Sequence, residues 1–260
     1  MTNFKGASLP ISEAGMTKVT DVLGVKPAEV WTVLSVETHG FGFLNDRRPA
    51  ILFERHIFHK QTGGRFDATN PSISSPTGGG YSGGAKEYDR LAQAIALDSH
   101  AALMSASWGI GQVMGFNFAA AGFASVEDMV TQMVQSEDVQ LEGMAAFVRS
   151  TGLHKPLANH DWAGFAKGYN GPTYAQNSYD TRLNQFFQKF AAGPLPDLRV
   201  RQAQAMLTFL GFDPGGIDGV IGKRTRSAVA MFRGNEDDTV DDGLITSLTA
   251  KLTTAAAAAS

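Results

Sequence analysis

Apolar residues recur three and four positions apart along most of the chain, which predicts a mainly helical protein. The pattern marks helices over 11–23, 27–37, 87–104, 137–149, 161–167 and 175–190. Pro27 suits the start of the second, because its missing N–H is not needed in a first turn. Ser125 reads as an N-cap, with Asp128 at the capping-box position, ahead of Met129, Met133 and Val134. The stripe Val139, Leu141, Met144, Phe147 and Val148 is ordinary core and its helix ends at Gly152. Ile51-Leu52-Phe53 fits a short strand or the start of a helix. From 61 to 85, Gly, Ser, Pro, Thr and Asn dominate, which predicts a long loop. Its 75–84 stretch looks mobile and is either a wall of a substrate channel or plain surface. The glycines of 107–115 interrupt the helical pattern again, either letting backbone approach a ligand closely or making a tight turn between helices.

Residues 191–197, rich in Gly and Pro, read as a linker between a domain at 1–190 and a small module at 198–253. Within the module the pattern predicts three helices, over 198–210, 223–232 and 241–252. Residues 254–260 read as a frayed tail.

One position stands apart from this apolar pattern. Val30, Val33 and Leu34 lie on one helical face, and the next position on that face is Glu37. His39 and Gly40 follow and end the helix, and Gly40 to Phe43 reads as a turn at which backbone approaches a ligand closely. A carboxyl at the C-terminal end of an apolar face is pushed toward its neutral form by desolvation and by the helix dipole. That is the state a general acid requires. The plain alternative is a solvated helix-end residue.

Composition narrows the chemistry. The chain has 260 residues, 43% hydrophobic and 18% charged, so it is globular. A net charge of −3 argues against nucleic-acid binding through a basic face. The absence of cysteine removes disulfides, thiolate metal sites and cysteine nucleophiles. Residues 1–15 do not resemble a secretory signal, and no stretch is long and apolar enough to anchor the chain in a membrane. His39, His56 and His59 lack the third-ligand spacing of a zinc site, so neither metal nor other cofactor is expected. Nothing demands more than a monomer.

Four motifs in order carry a resemblance: Val36 to Phe43, Ile51 to Phe58, Ala106 to Gln112 and Ala166 to Pro172. Together they resemble the N-acetylmuramidase domain of modular phage endolysins, over nearly all of 8–190. The skeleton of a helical Glu, then S-x-G-x-x-Q, then a Tyr-Asn pair is similar to goose-type lysozymes and lytic transglycosylases. The resemblance implies a lysozyme-like, mainly helical catalytic domain. The module resembles the type 1 peptidoglycan-binding domain through Gln204, Leu210-Gly211-Phe212, Gly216-Ile217-Asp218-Gly219 and Phe232. It departs at Ala203, usually leucine, and at Arg233, usually glutamine. With seven basic and seven acidic residues from Leu198 onward, the module is no electrostatic anchor.

The resemblance implies a lysozyme that hydrolyses the β-1,4 bond between N-acetylmuramic acid and N-acetylglucosamine, with Glu37 as general acid. Glu54 is favoured over Asp46 as a second carboxylate, although pairing with Arg55 or His56 would leave Glu54 a shaping role. Ser107, Gln112, Tyr169 and Asn170 are the expected substrate-binding residues: Tyr169 to bond the acid or stack on a sugar, Asn170 to hold an N-acetyl group. A structural turn and a buried tyrosine are the alternatives. Peptidoglycan is the expected partner. The expected course is accumulation in the host cytoplasm, holin-dependent release and host lysis. A transglycosylase giving 1,6-anhydro ends, a non-catalytic wall-binding protein and a zinc amidase compete with this reading.

Overall fold

The structure, a computed structural model, describes residues 3–38, 41–171 and 174–258. His39, Gly40 and Pro172 lie outside the described residues. Helix accounts for 57% of the chain, and the architecture is a mainly α, lysozyme-like domain followed by a small helical module.

Helix α1 (Glu13–Leu23) is capped by Ser12, which accepts from the Gly15 N–H, and lies along α7 (Glu137–Ser150). Helix α2 (Pro27–Glu37) begins at the proline as expected and buries Val30, Val33 and Leu34. It lies against α10 (Tyr179–Ala192). The apolar run at Ile51 resolves as strand β1 (Ile51–Phe53), leading directly into α3 (Arg55–Thr62). The expected helix over 87–104 is two, α4 (Glu87–Leu97) and α5 (Ser99–Met104). Asp98 separates them in an extended conformation and caps α5 by accepting from the Ala101 N–H at 3.0 Å.

The glycine-broken stretch is a hairpin, not a turn between helices. Strands β2 (Ala106–Trp108) and β3 (Val113–Met114) pair antiparallel, and β1 adds to β2 with Ile51 opposite Trp108 and Phe53 opposite Ala106. These strands are too short to alternate and β2 is buried at all three positions, so no period-2 signal marks them. Helices α6 (Val126–Met133), α8 (His154–Ala158) and α9 (Trp162–Asn170) complete the domain. Ser125 caps α6 as read, whereas Asp128 reaches back to the Ala124 N–H. Helix α9 outlasts its expected end, so Tyr169 and Asn170 are helical. One core joins Leu34, Phe53, Leu91, Trp108, Met133 and Phe165.

The module holds α11 (Leu198–Phe209), α12 (Lys223–Arg233) and α13 (Asp242–Ala258) around Met206, Leu207, Val229, Leu244 and Leu248. Helix α13 continues to Ala258 instead of fraying after Leu252, consistent with the helix propensity of its alanine run. The buried Gln204 organises the glycine turn: its amide donates to Asp218 and the Val220 carbonyl and accepts from the Asp218 and Gly219 N–H groups. Asp218 in turn caps Val220. The atypical Arg233 bonds Asp237, Asp241 and the Thr239 carbonyl, closing the acidic turn.

The module is fastened to the larger domain. Arg201, fully buried, donates from both terminal nitrogens to Glu137, also fully buried, at 2.6 and 2.9 Å. The same carboxylate accepts from the Ile11 and Gly42 N–H groups at 3.0 and 2.7 Å. Phe209 packs on Phe41 and Phe43, and Gln202 donates to the Ile11 carbonyl. Removing one member of a buried pair strands the other. Arg201→Met should therefore destabilise the protein by about 3–5 kcal/mol, read from urea unfolding. Adding Glu137→Gln to it should restore part of that loss, whereas additive losses would mean the pair is not coupled.

Candidate active site

Glu37 terminates α2 with its side chain half-buried against α9 and α10. Asn170 Nδ2, in the last turn of α9, donates to Glu37 Oε1 at 3.1 Å. Arg182 of α10 donates to the Val36 carbonyl at 3.1 Å and brings its positive charge near Glu37. Burial pushes the Glu37 carboxyl up from 4.5 to about 7, against the opposing effects of the Asn170 donor and the Arg182 charge. The group is thus balanced between its two protonation states near neutral pH, the range in which a carboxyl both holds and delivers a proton.

Tyr169 does not bond this carboxyl. Its hydroxyl donates to the Gly111 carbonyl at 2.5 Å, and its ring stacks on Phe165 with an edge contact to Phe147. Burial and the neighbouring Glu37 raise its pKa well above the usual phenol value. Asn170 takes the contact expected of Tyr169. Tyr179, under the Arg182 guanidinium, also lies near Glu37.

Ser107 and Gln112 brace the hairpin. Ser107 Oγ donates to Gln112 Oε1 at 2.8 Å, and Gln112 Nε2 donates to the Ala50 and Gly109 carbonyls. The close backbone approaches expected of the glycines are made to the protein itself. Gly109 has φ +68°, and a Cβ there or on Gly42 would collide with the Gln140 side chain, whose oxygen accepts from the Ile110 N–H at 2.8 Å. The rings of Phe41 and Phe43 turn toward the module, with Gly42 buried between them.

Glu54 precedes α3, and the Tyr81 hydroxyl donates to both its oxygens at 3.1 and 2.9 Å. His56 Nδ1 lies 3.1 Å from Glu54 Oε2. The loop carrying Tyr81, read as mobile, is fastened at both ends. Arg55 donates to the Thr77 and Gly78 carbonyls, and the buried Glu87 accepts from the Ser82 and Gly83 N–H groups. Asp46 pairs with Arg48. Partial burial opposes its ionisation, but the Arg48 hydrogen bonds and charge outweigh this and hold it below its ordinary range. His59 is paired with Asp67, and among the described residues no three His, Cys, Asp or Glu side chains converge as a metal site.

Comparison with protein families matches residues 26–191 to N-acetylmuramidase. The chain belongs to the N-acetylmuramidase family. Residues 197–251 of this muramidase match a peptidoglycan-binding domain. The fold is also similar to the crystal structure of the Burkholderia AP3 phage endolysin, at 39% identity and TM-score 0.64, over 70% of this chain and 71% of that one. A comparison with curated protein sequences returned no match. The muramidase is a glycoside hydrolase by family, and the glutamate singled out by its helical position has the environment of an acid. Arg182, Tyr179 and Tyr81 escaped sequence reasoning. Arg182 lies one turn from both Tyr179 and Phe186 on α10, a spacing that marks a shared face but not what the face meets.

The raised Glu37 pKa has a definite sign in stability. Below 4.5 the carboxyl is protonated folded and unfolded, and above about 7 it is ionised in both. Between these values unfolding releases a proton, so stability falls as pH rises through the window. Glu37→Gln should therefore gain on the wild type from pH 4.5 to 7 by up to about 3 kcal/mol, measured as the pH dependence of the unfolding midpoint. Asn170→Ala, which removes a donor to the charged form, should move the alkaline limb of the pH–activity profile upward. A limb that stays in place would dissociate Asn170 from Glu37 titration.

Proposed function

We propose that this chain is an endolysin that hydrolyses the β-1,4 bond between N-acetylmuramic acid and N-acetylglucosamine. The observation that carries the reading is the half-buried Glu37, held near pKa 7 beside Asn170 on a muramidase fold. Its neutral form donates a proton to the glycosidic oxygen as the C–O bond breaks and oxocarbenium character develops at the anomeric carbon. Glu54 is the proposed second carboxylate, held in place by the Tyr81 hydroxyl. Ser107, Gln112 and Tyr169 hold the hairpin and α9 that border the acid, and Asn170 orients it. The proposal extends to host lysis by an enzyme kept in the cytoplasm until a separate holin opens the membrane. The similar structure is that of a phage endolysin, and no helix among the described residues is long and apolar enough to cross a membrane.

A second reading has its own support. The hydroxyl of Tyr81 spans both Glu54 oxygens, which favours a shaping role for that carboxylate. Glu37 alone would then act, with the 6-hydroxyl of the muramic acid unit attacking its own anomeric carbon and giving a 1,6-anhydro end. Mass spectrometry of fragments released from purified peptidoglycan separates the two. Hydrolysis gives reducing N-acetylmuramic acid ends that Glu37→Gln abolishes by about 10²-fold or more and Glu54→Gln also suppresses. Anhydro ends that survive Glu54→Gln would select the transglycosylase. Freed stem peptides with intact glycan would refute both.

A further inference from the structure

The geometry points to a glycan subsite built jointly by the two domains: the peptidoglycan-binding module forms one wall of the substrate cleft instead of acting only as a tether. A cavity of about 560 Å³ lies at the junction. Thr38, Phe41 and Asn45 line it from the catalytic domain, and Thr208, Phe212 and Asp213 line it from the module. Its volume falls within the range of about 300–1,000 Å³ typical of small-molecule sites.

The wall begins at Thr38, the residue after Glu37, and Thr38 Oγ1 is fixed by donating to the Ile110 carbonyl at 3.1 Å. The edge of the cavity thus lies one residue along the chain from Glu37. The walls do not depend on chance contact between domains. Arg201 and Glu137 hold them together with no exposed surface, and Phe209 packs on both Phe41 and Phe43. Glu137 also accepts from the Gly42 N–H, so one carboxylate fixes the turn on one wall and the helix leading to the other.

The lining chemistry selects the occupant. Two phenylalanine side chains offer apolar surface for the C–H faces of pyranose rings. Threonine hydroxyls and the Asn45 amide offer neutral hydrogen bonds suited to sugar hydroxyl and acetamide groups. Among the described lining residues the charged side chain is Asp213, which is paired with Arg224. A stem peptide, with its carboxylates and free amine, would meet no unpaired charge among those described residues. N-acetylhexosamine rings of the glycan strand fit better.

This inference rests on the muramidase reading of Glu37, and its test separates the two. Calorimetry on the full-length Glu37→Gln protein would use chitohexaose as the glycan probe and an amidase-released stem peptide as the competing one. Asn45→Ala, on one wall, and Thr208→Trp, which fills the cavity from the other, should each weaken chitohexaose binding by about tenfold. Unchanged melting temperatures would show both variants folded. Unchanged chitohexaose affinity in either variant would overturn the shared subsite. So would stem-peptide binding that Thr208→Trp abolishes while chitohexaose binding persists. Neither result would touch the role of Glu37, which fails only if Glu37→Gln still releases the wild-type fragments.

Discussion

The Glu137 carboxylate has no exposed surface, and its position constrains much of the molecule. A buried carboxylate is costly unless donors meet it from several sides, and here they come from three separate parts of the chain. The Ile11 N–H fixes the entry to α1, the Gly42 N–H fixes the turn beyond α2, and Arg201 fixes the module. The neighbouring Gln140, one turn along α7, receives the Ile110 N–H of the hairpin. The first turn of α7 is thus a hub to which both edges of the acid's surroundings are tied. Glu87 does similar work at the other end of the sheet, gathering Phe53, Ser82, Gly83 and Arg90.

Glu37 contrasts with these two. It is half-buried with one amide donor and a nearby guanidinium, enough to hold the carboxyl in place and too little to keep it ionised. The difference between a carboxylate held ionised and one poised near neutrality lies in the count and charge of donors more than in depth. Glu87 accepts from three backbone N–H groups and Arg90, which overcome its burial and hold it below the ordinary range.

Much of this was legible in the residues, and the rest has physical reasons for being hidden. Pro27 and Ser125 act through local backbone chemistry, so their helices begin where the chain says they should, whereas the first helix, expected from residue 11, begins at Glu13 behind the Ser12 cap. The position of Glu37 on an apolar face is likewise local. The hairpin was hidden because buried three-residue strands carry no period of their own and glycines dominate the turn. Arg182, Tyr81 and Arg201 gave no signal in the sequence, because their partners lie 146, 27 and 64 positions away. Pairing across such separations leaves no periodic trace. Asn170 and not Tyr169 meets Glu37 because α9 runs through both residues, aiming the amide at Glu37 and the phenol at Gly111.

The bond between Glu137 and Arg201 also bears on how such proteins diversify. In this chain a grafted module lacking an arginine at the corresponding place on its first helix would leave an uncompensated charge in the interior of its host. A stable exchange in this chain therefore calls for a module that brings the matching cation, or for a neutral residue in place of Glu137 at the same time.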